Sequence, residues 1–287
     1  MSTDSLSVKF WGVRGSIACA GPNYVIYGGN TSCLEVTCGG HRMVFDAGTG
    51  LRPLGLDMLS KHNGPIDLFL THTHFDHVVG LPFFVPMFLP QSEIRIWAGH
   101  LAPRLSLEEA VRGLMIEPLF PVPPDIFRAQ IDYRDFRAGE TLNPYPGVTL
   151  RTAPLNHPNG ATGYRVEYGG KSICYITDTE HVEGQLDRTI ISLVQDADIM
   201  IYDASYTDAE YPRFKGFGHS TWEEGVRLAK EAKVKTFVAF HHDPSHDDKV
   251  MAVEFSPDGR HLASASADAT SRIWSLSAAE PSRVLPG

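Results

Sequence analysis

Over the first seventy residues the hydrophobic positions fall in short runs broken by glycine, a pattern of strands and tight turns. Val8–Trp11 reads as a strand and Gly12–Ser16 as a loop. Ser32–Thr37 and Arg42–Phe45 read as a hairpin turning at Gly39-Gly40. That strand ends in Phe45-Asp46-Ala47-Gly48-Thr49-Gly50, a glycine-rich turn that could cradle phosphate or simply close tightly. Ile66–Thr71 is a short apolar stretch that predicts a buried strand. Residues 78–130 differ, because proline interrupts an apolar segment holding Phe83, Phe84, Met87, Phe88 and Leu89. One strand, 93–98, and one helix, about 105–115, fit inside it. The segment reads as core packing, or as a lid or homodimer face, since exposed apolar patches mark contacts. Strands recur at 148–152, 172–176, 199–202 and 236–240, and each is followed by histidine or aspartate. A helix over 221–233 opens on a capping box made by Ser220 and Glu223.

Composition narrows the class. The 287 residues suffice for one large domain or two smaller ones. The formal net charge of -9 argues against general nucleic-acid binding, which usually needs a basic surface. Cys19, Cys33, Cys38 and Cys174 form no C-x-x-C pair and read as core residues in a reducing compartment. No apolar run approaches the ~20 residues that span a bilayer, and Met1–Phe10 lacks the features of a signal peptide. The expectation is a cytoplasmic protein with no membrane partner.

The candidate chemistry lies where strands end. His72-Thr73-His74-Phe75-Asp76-His77 follows a buried strand and places three imidazoles and a carboxylate in six residues. Imidazole and carboxylate are the ligands of catalytic zinc sites. His72 and His74 alternate to one side, while Asp76 and His77 turn toward a second ion. Collecting the other strand ends gives His72, His74 and His157 for one cation. Asp76 and His77, with His241 or His242, serve the other. His241 is preferred because it leaves its strand first. Asp178 would bridge the pair, with Asp46 and Asp203 in outer positions. Two such cations, zinc with manganese or iron as alternatives, would share a water and turn it into hydroxide. His219 precedes a helix N-terminus, where free N–H groups favour anions. It is either a plain residue before the cap or a donor to a substrate phosphate. Asp76 and His219 are the catalytic candidates. Arg14, Asn30 and His219 are the candidate substrate contacts, the first two being equally readable as loop structure.

Together these residues resemble the metallo-β-lactamase-fold hydrolase superfamily over roughly residues 7–249. His72-x-His74-x-Asp76-His77 is its signature, and His157, Asp178 and His241 follow in order. The resemblance implies an α/β fold, an αββα sandwich of two mixed sheets with helices outside and metals at one edge. Phe10–Ser16, Gly28–Ser32 and Gly218-His219-Ser220 are similar to ribonuclease Z and the phosphoribosyl cyclic-phosphate diesterases, which implies that His219 is the substrate-side histidine. The sequence has no long basic arm of the kind ribonuclease Z uses to hold tRNA. The expected function is therefore a dinuclear metal-dependent phosphodiesterase acting on a small or cyclic phosphodiester. Rivals are a lactonase, thioesterase or lactamase on a carbonyl substrate, and a non-catalytic scaffold. The tail stands apart. Phe255-Ser256-Pro257-Asp258-Gly259 and Arg272-Ile273-Trp274 resemble one WD-repeat blade of three short strands. The expected division is a hydrolase domain at 1–249 and a WD-like β segment at 250–287. A single blade cannot bury both faces, so it would pack on the enzyme or a second chain, or be the remnant of a fusion.

Overall fold

The computed structural model describes residues 5–61 and 64–248, together with four strands of the tail. The first sheet holds β1 (Leu6–Gly12), β2 (Cys33–Cys38), β3 (His41–Phe45), β4 (Ile66–Leu70), β5 (Glu93–Ala98) and β6 (Gln130–Asp135), neighbours in that order. The β1–β2–β3 part is antiparallel and β3 to β6 are parallel. The second sheet holds β7 (Thr141–Tyr145), β8 (Val148–Leu155), β9 (Ala161–Tyr168), β10 (Lys171–Ile176), β11 (Ile199–Asp203) and β12 (Thr236–Phe240). There β7 to β10 run antiparallel and β10, β11 and β12 parallel.

The two sheets bury their facing sides in one core. Alternation along each strand decides which side chains take part. From β10, Ile173 and Tyr175 join Phe45, Phe69 and Tyr164 between the sheets, while Cys174 and Ile176 face helices outside. Strands buried on both faces are largely apolar, and β4 is buried at every position, with its one polar residue, Asp67, held by Arg95 and by the Trp97 indole N–H at 2.8 Å. Rings fix the interior: Phe45 lies 5.2 Å from Phe69 and 5.3 Å from Tyr164. The helices α1 (Leu51–Lys61) and α3 (Leu107–Leu114) cover the first sheet, and α4 (Arg188–Val194) and α5 (Trp222–Glu231) the second. The layer order is the αββα sandwich that the sequence led one to expect. In the proline-rich segment Leu81, Phe84 and Met87 are fully buried against α1, as core packing requires, whereas Phe83 and Leu119 stay exposed. No helix among the described residues is long and apolar enough to cross a membrane.

The α5 start corrects the expected capping box. Thr221, not Ser220, is the N-cap, and its side chain accepts from the Glu224 N–H. Ser220 instead turns inward and meets Tyr202 and His181. In the tail, β13 (Ala252–Phe255), β14 (His261–Ala265), β15 (Thr270–Ser275) and β16 (Arg283–Pro286) form an antiparallel meander in that order. It has one strand more than the sequence spacing suggested.

Candidate metal centre

Parallel strands deliver their C-terminal ends to one edge of the sandwich, and the candidate ligands sit there. His72 leaves β4 through Thr71. His74 is extended (φ -68°, ψ 158°) and caps α2 (Phe75–Val78), a single turn that carries the buried Asp76 and His77. His157 follows β8, Asp178 follows β10, and His241 follows β12 directly. Asp46, Asp178 and His241 all adopt left-handed backbone, with φ of 60°, 56° and 58°. Non-glycine residues pay for that conformation, and such strain collects at functional sites.

One nitrogen each from His72, His74 and His157 converges within 4.8 Å, and a second such group joins Asp76, His77 and His241. His157 Nε2 lies 3.0 Å from His74 Nδ1. His241 Nε2 lies 3.3 Å from His77 Nε2 and 3.1 Å from Asp76 Oδ2. Asp178 stands between the groups, 3.7 Å from His72 and His157 through Oδ1 and 3.1 Å from His77 through Oδ2. His242 does not join the cluster. It is buried nearby, with its pKa pushed down to about 3 by burial and by Arg14.

Three observations test whether these residues fit metal ions. First, His72 Nε2 is enclosed without a hydrogen-bond partner, an expensive state for a buried polar atom unless a cation takes its lone pair. Second, the nitrogens turned away from the cluster are held. His77 Nδ1 bonds Asp46 Oδ2 at 2.8 Å, His157 Nδ1 bonds the Gly218 carbonyl at 2.7 Å, and His241 Nδ1 meets Ser205 Oγ at 3.1 Å. Metal-binding imidazoles are oriented in this way. Third, the electrostatics suit cations. Burial keeps His72, His74 and His157 neutral, lone pairs available. Burial opposes charge on Asp76 and Asp178 too, yet His77 and His241 hold both carboxyls well below the usual range. Burial also opposes charge on His77, but Asp178, Asp76 and Asp46 outweigh it and raise its pKa. The cluster calls for positive charge, which divalent cations would supply. The residues fit the group.

His219 is placed beside this centre. Its ring stacks on His241 at 4.8 Å, and Nδ1 lies 3.0 Å from Asp203 Oδ2 and 3.7 Å from Asp178 Oδ1. Burial would lower its pKa, but Asp203 raises it to about 9. Asp203 is itself fixed by the backbone N–H groups of Thr179 and Ser205 and by the Ser205 hydroxyl.

Two expected substrate contacts are corrected. Arg14 is fully buried, and its guanidinium donates to the Gly28 and His246 carbonyls and to Asp248 at 2.5 Å. It fastens the N-terminal loop to residues 246–248 and offers nothing to a phosphate. Asn30 bonds the Trp11 carbonyl and the Thr49 hydroxyl, so it too is loop structure. Sequence reasoning placed Asp46 in an outer position but not its partners, and it missed Ser16. Asp46 accepts from Thr71, His77 and Tyr175, and the Ser16 N–H donates to Asp76 Oδ2 at 2.8 Å. Two glycines make room. A Cβ on Gly15 would stand 2.3 Å from the His241 ring, and one on Gly218 (φ 87°) 2.4 Å from His157 Nδ1.

Comparison with known proteins follows the same line. Residues 41–242 match the family described as the β-lactamase superfamily domain, and residues 234–275 match the WD domain, G-β repeat. Ribonuclease Z of Methanosarcina acetivorans is 26% identical over 292 residues, covering 86% of this chain and 91% of that one. The human short-form tRNase Z shares the fold with a TM-score of 0.62 at 22% identity, over 84% of this chain and 94% of that chain. A diphosphatase from the PhnP family does so with a TM-score of 0.65 at 18% identity, over 85% and 89% of the two chains.

Proposed function

The chain belongs to the β-lactamase superfamily domain family and is a metal-dependent hydrolase, and from that premise we propose that it cleaves a small or cyclic phosphodiester. His72, His74 and His157 would hold one divalent cation, Asp76, His77 and His241 a second, and Asp178 would touch both. Imidazole with carboxylate suits zinc, and manganese or iron would also accept the set. Such ions supply Lewis acidity and an activated water.

The chain's own residues do the rest. The observation that carries the reading is His219, held by Asp203 at 3.0 Å and standing 3.7 Å from Asp178. Asp203 accepts a hydrogen bond from Nδ1–H and fixes the ring. Protonated His219 then has a second N–H for a phosphoryl oxygen or for the leaving alkoxide. A carbonyl substrate has less use for a cation in that position. Asp46 keeps His77 oriented, and Ser16 does the same for Asp76 through its N–H.

The names of the relatives favour RNA as a second reading. Against it stand the net charge of -9 and Arg14, which is committed to the fold. A polyanion needs several basic contacts, whereas a small diester needs only the centre and His219.

The test is a substrate panel with His219→Ala. The variant should lose about 100-fold or more in kcat on an aryl phosphodiester, the usual worth of a general acid, and little on an aryl ester. Equal losses on both, or wild-type preference for a tRNA precursor over every small diester, would replace this substrate assignment.

A further inference from the structure

A second concavity lies behind His219, on the far side of Ser220. It encloses about 790 Å³ between the segment 181–186, Tyr211 and α5, within the ~300–1,000 Å³ typical of small-molecule sites. No residue of the metal cluster lines it.

His181 forms its inner wall and is 8% exposed. The ring stacks on Tyr211 at 4.1 Å, and the Tyr211 hydroxyl donates to the His181 carbonyl. Nδ1 lies 2.8 Å from Ser220 Oγ, which in turn lies 2.9 Å from the Tyr202 hydroxyl. Tyr202 and Ser220 are fully buried. Only one arrangement leaves neither hydroxyl hydrogen without an acceptor: Tyr202 donates to Ser220, and Ser220 donates to His181 Nδ1. The remaining proton of the neutral imidazole then sits on Nε2. That N–H makes no hydrogen bond among the described residues, so it waits for an acceptor in the cavity.

Charge defines the rest of the occupant. Four carboxylates line the space, Glu183, Asp208, Glu224 and Glu231, against the cations Arg227 and Lys230. Arg227 is engaged by Asp208 through both terminal nitrogens and by Glu224 through Nε. Glu183 pairs with the half-exposed Lys215 and Glu231 with the mostly exposed Arg188, and such pairs exchange easily.

We propose that this cavity is a second ligand site, which takes a small organic cation bearing a carbonyl or hydroxyl oxygen, with the His181 Nε2–H donating to that oxygen. The cation rests against Glu183 and Glu231. Because Ser220 is the neighbour of His219, the occupant sits one residue from the catalytic imidazole.

The test is calorimetric binding to the metal-replete full chain, with lysinamide and ethanolamine as cationic probes and propionamide and glutarate as neutral and anionic ones. The cations should bind at least about tenfold tighter than the others. His181→Asn keeps an acceptor for Ser220 but removes Nε2–H, and should weaken them about tenfold, the worth of one such hydrogen bond. Glu183→Gln, at the exposed rim, should weaken them about threefold, as loss of one partly screened ion pair would. Equal affinity across the probes, or affinity untouched by both variants, would overturn the site. So would binding that disappears in Asp178→Ala and survives in His181→Asn, since the probes would then be reading the metal centre.

Discussion

At the scale of single residues, the candidate ligand types stood out in the sequence because chemistry restricts them. Three histidines and an aspartate in six positions have few other uses, and His157, Asp178 and His241 followed from standing at strand ends. Asp46 was legible as an outer carboxylate, but its partners were not, since only the fold brings Tyr175, from the other sheet, within 2.8 Å of it. Arg14 misled for a related reason, since its partner Asp248 is 234 positions away. One titration follows from such a long-range placement. Burial, then Asp208, raises the Glu223 pKa from 4.5 to about 7. Below pH 4.5 folded and unfolded chains both carry the proton, and Glu223 costs nothing. Between pH 4.5 and 7 only the folded chain keeps it, so stability declines as pH rises, and above 7 the full penalty is present. Glu223→Gln should therefore leave stability unchanged near pH 4 and raise it by about 1–2 kcal/mol at pH 8. Urea unfolding at the two pH values reads this directly, and an equal gain at both would contradict it.

At the scale of elements, strands with a clear apolar pattern were found in place, alternating in β5 and continuous in β12. The missed elements carry contrary local signals. Helix α1 contains Pro53 and Gly55, yet Pro53 falls in the first turn, where its absent N–H costs nothing. Gly55 lets α1 approach Phe84, with a Cβ only 2.7 Å from that ring. Strand β9 is interrupted by Gly163, and α4 is rich in β-branched residues that read equally as strand. In each case packing overrules propensity. The Thr221 cap shows the same limit at one residue's precision, since Ser and Thr side by side both satisfy the pattern. Element placement also sets the loops around the centre, and Gly15 gives the sharpest test. Gly15→Ala would push a methyl into the His241 ring and displace one ligand without changing any donor. The metal-to-protein ratio after dialysis should fall, while His219 and the first imidazole group stay in place. An unchanged ratio would mean that His241 is dispensable for binding.

At the scale of the whole molecule, two face-to-face sheets explain why ligands scattered from residue 72 to residue 241 meet. The parallel strands β4, β10, β11 and β12 open at the same edge, and that much was readable from strand ends alone. The limit of the catalytic unit, expected at residue 249, turns on one residue. Asp248 receives Arg14 at 2.5 Å and the Ile26 N–H at 2.6 Å, so the hydrolase domain must extend through Asp248. A chain ending at Lys249 should keep its melting temperature and its metal. Asp248→Ala in the full chain should cost about 3–5 kcal/mol, because it leaves a buried guanidinium without its carboxylate. A truncated chain that loses metal would make the four-stranded tail part of the hydrolase domain. Whether Asp178 joins two cation sites into one phosphodiesterase centre is read by measuring metal content and aryl phosphodiester hydrolysis together, in the full chain and in Asp178→Ala. About two divalent ions per chain are expected, with both metal content and diester turnover collapsing in the variant. Diester turnover that persists in Asp178→Ala after its metal is lost would contradict such a centre.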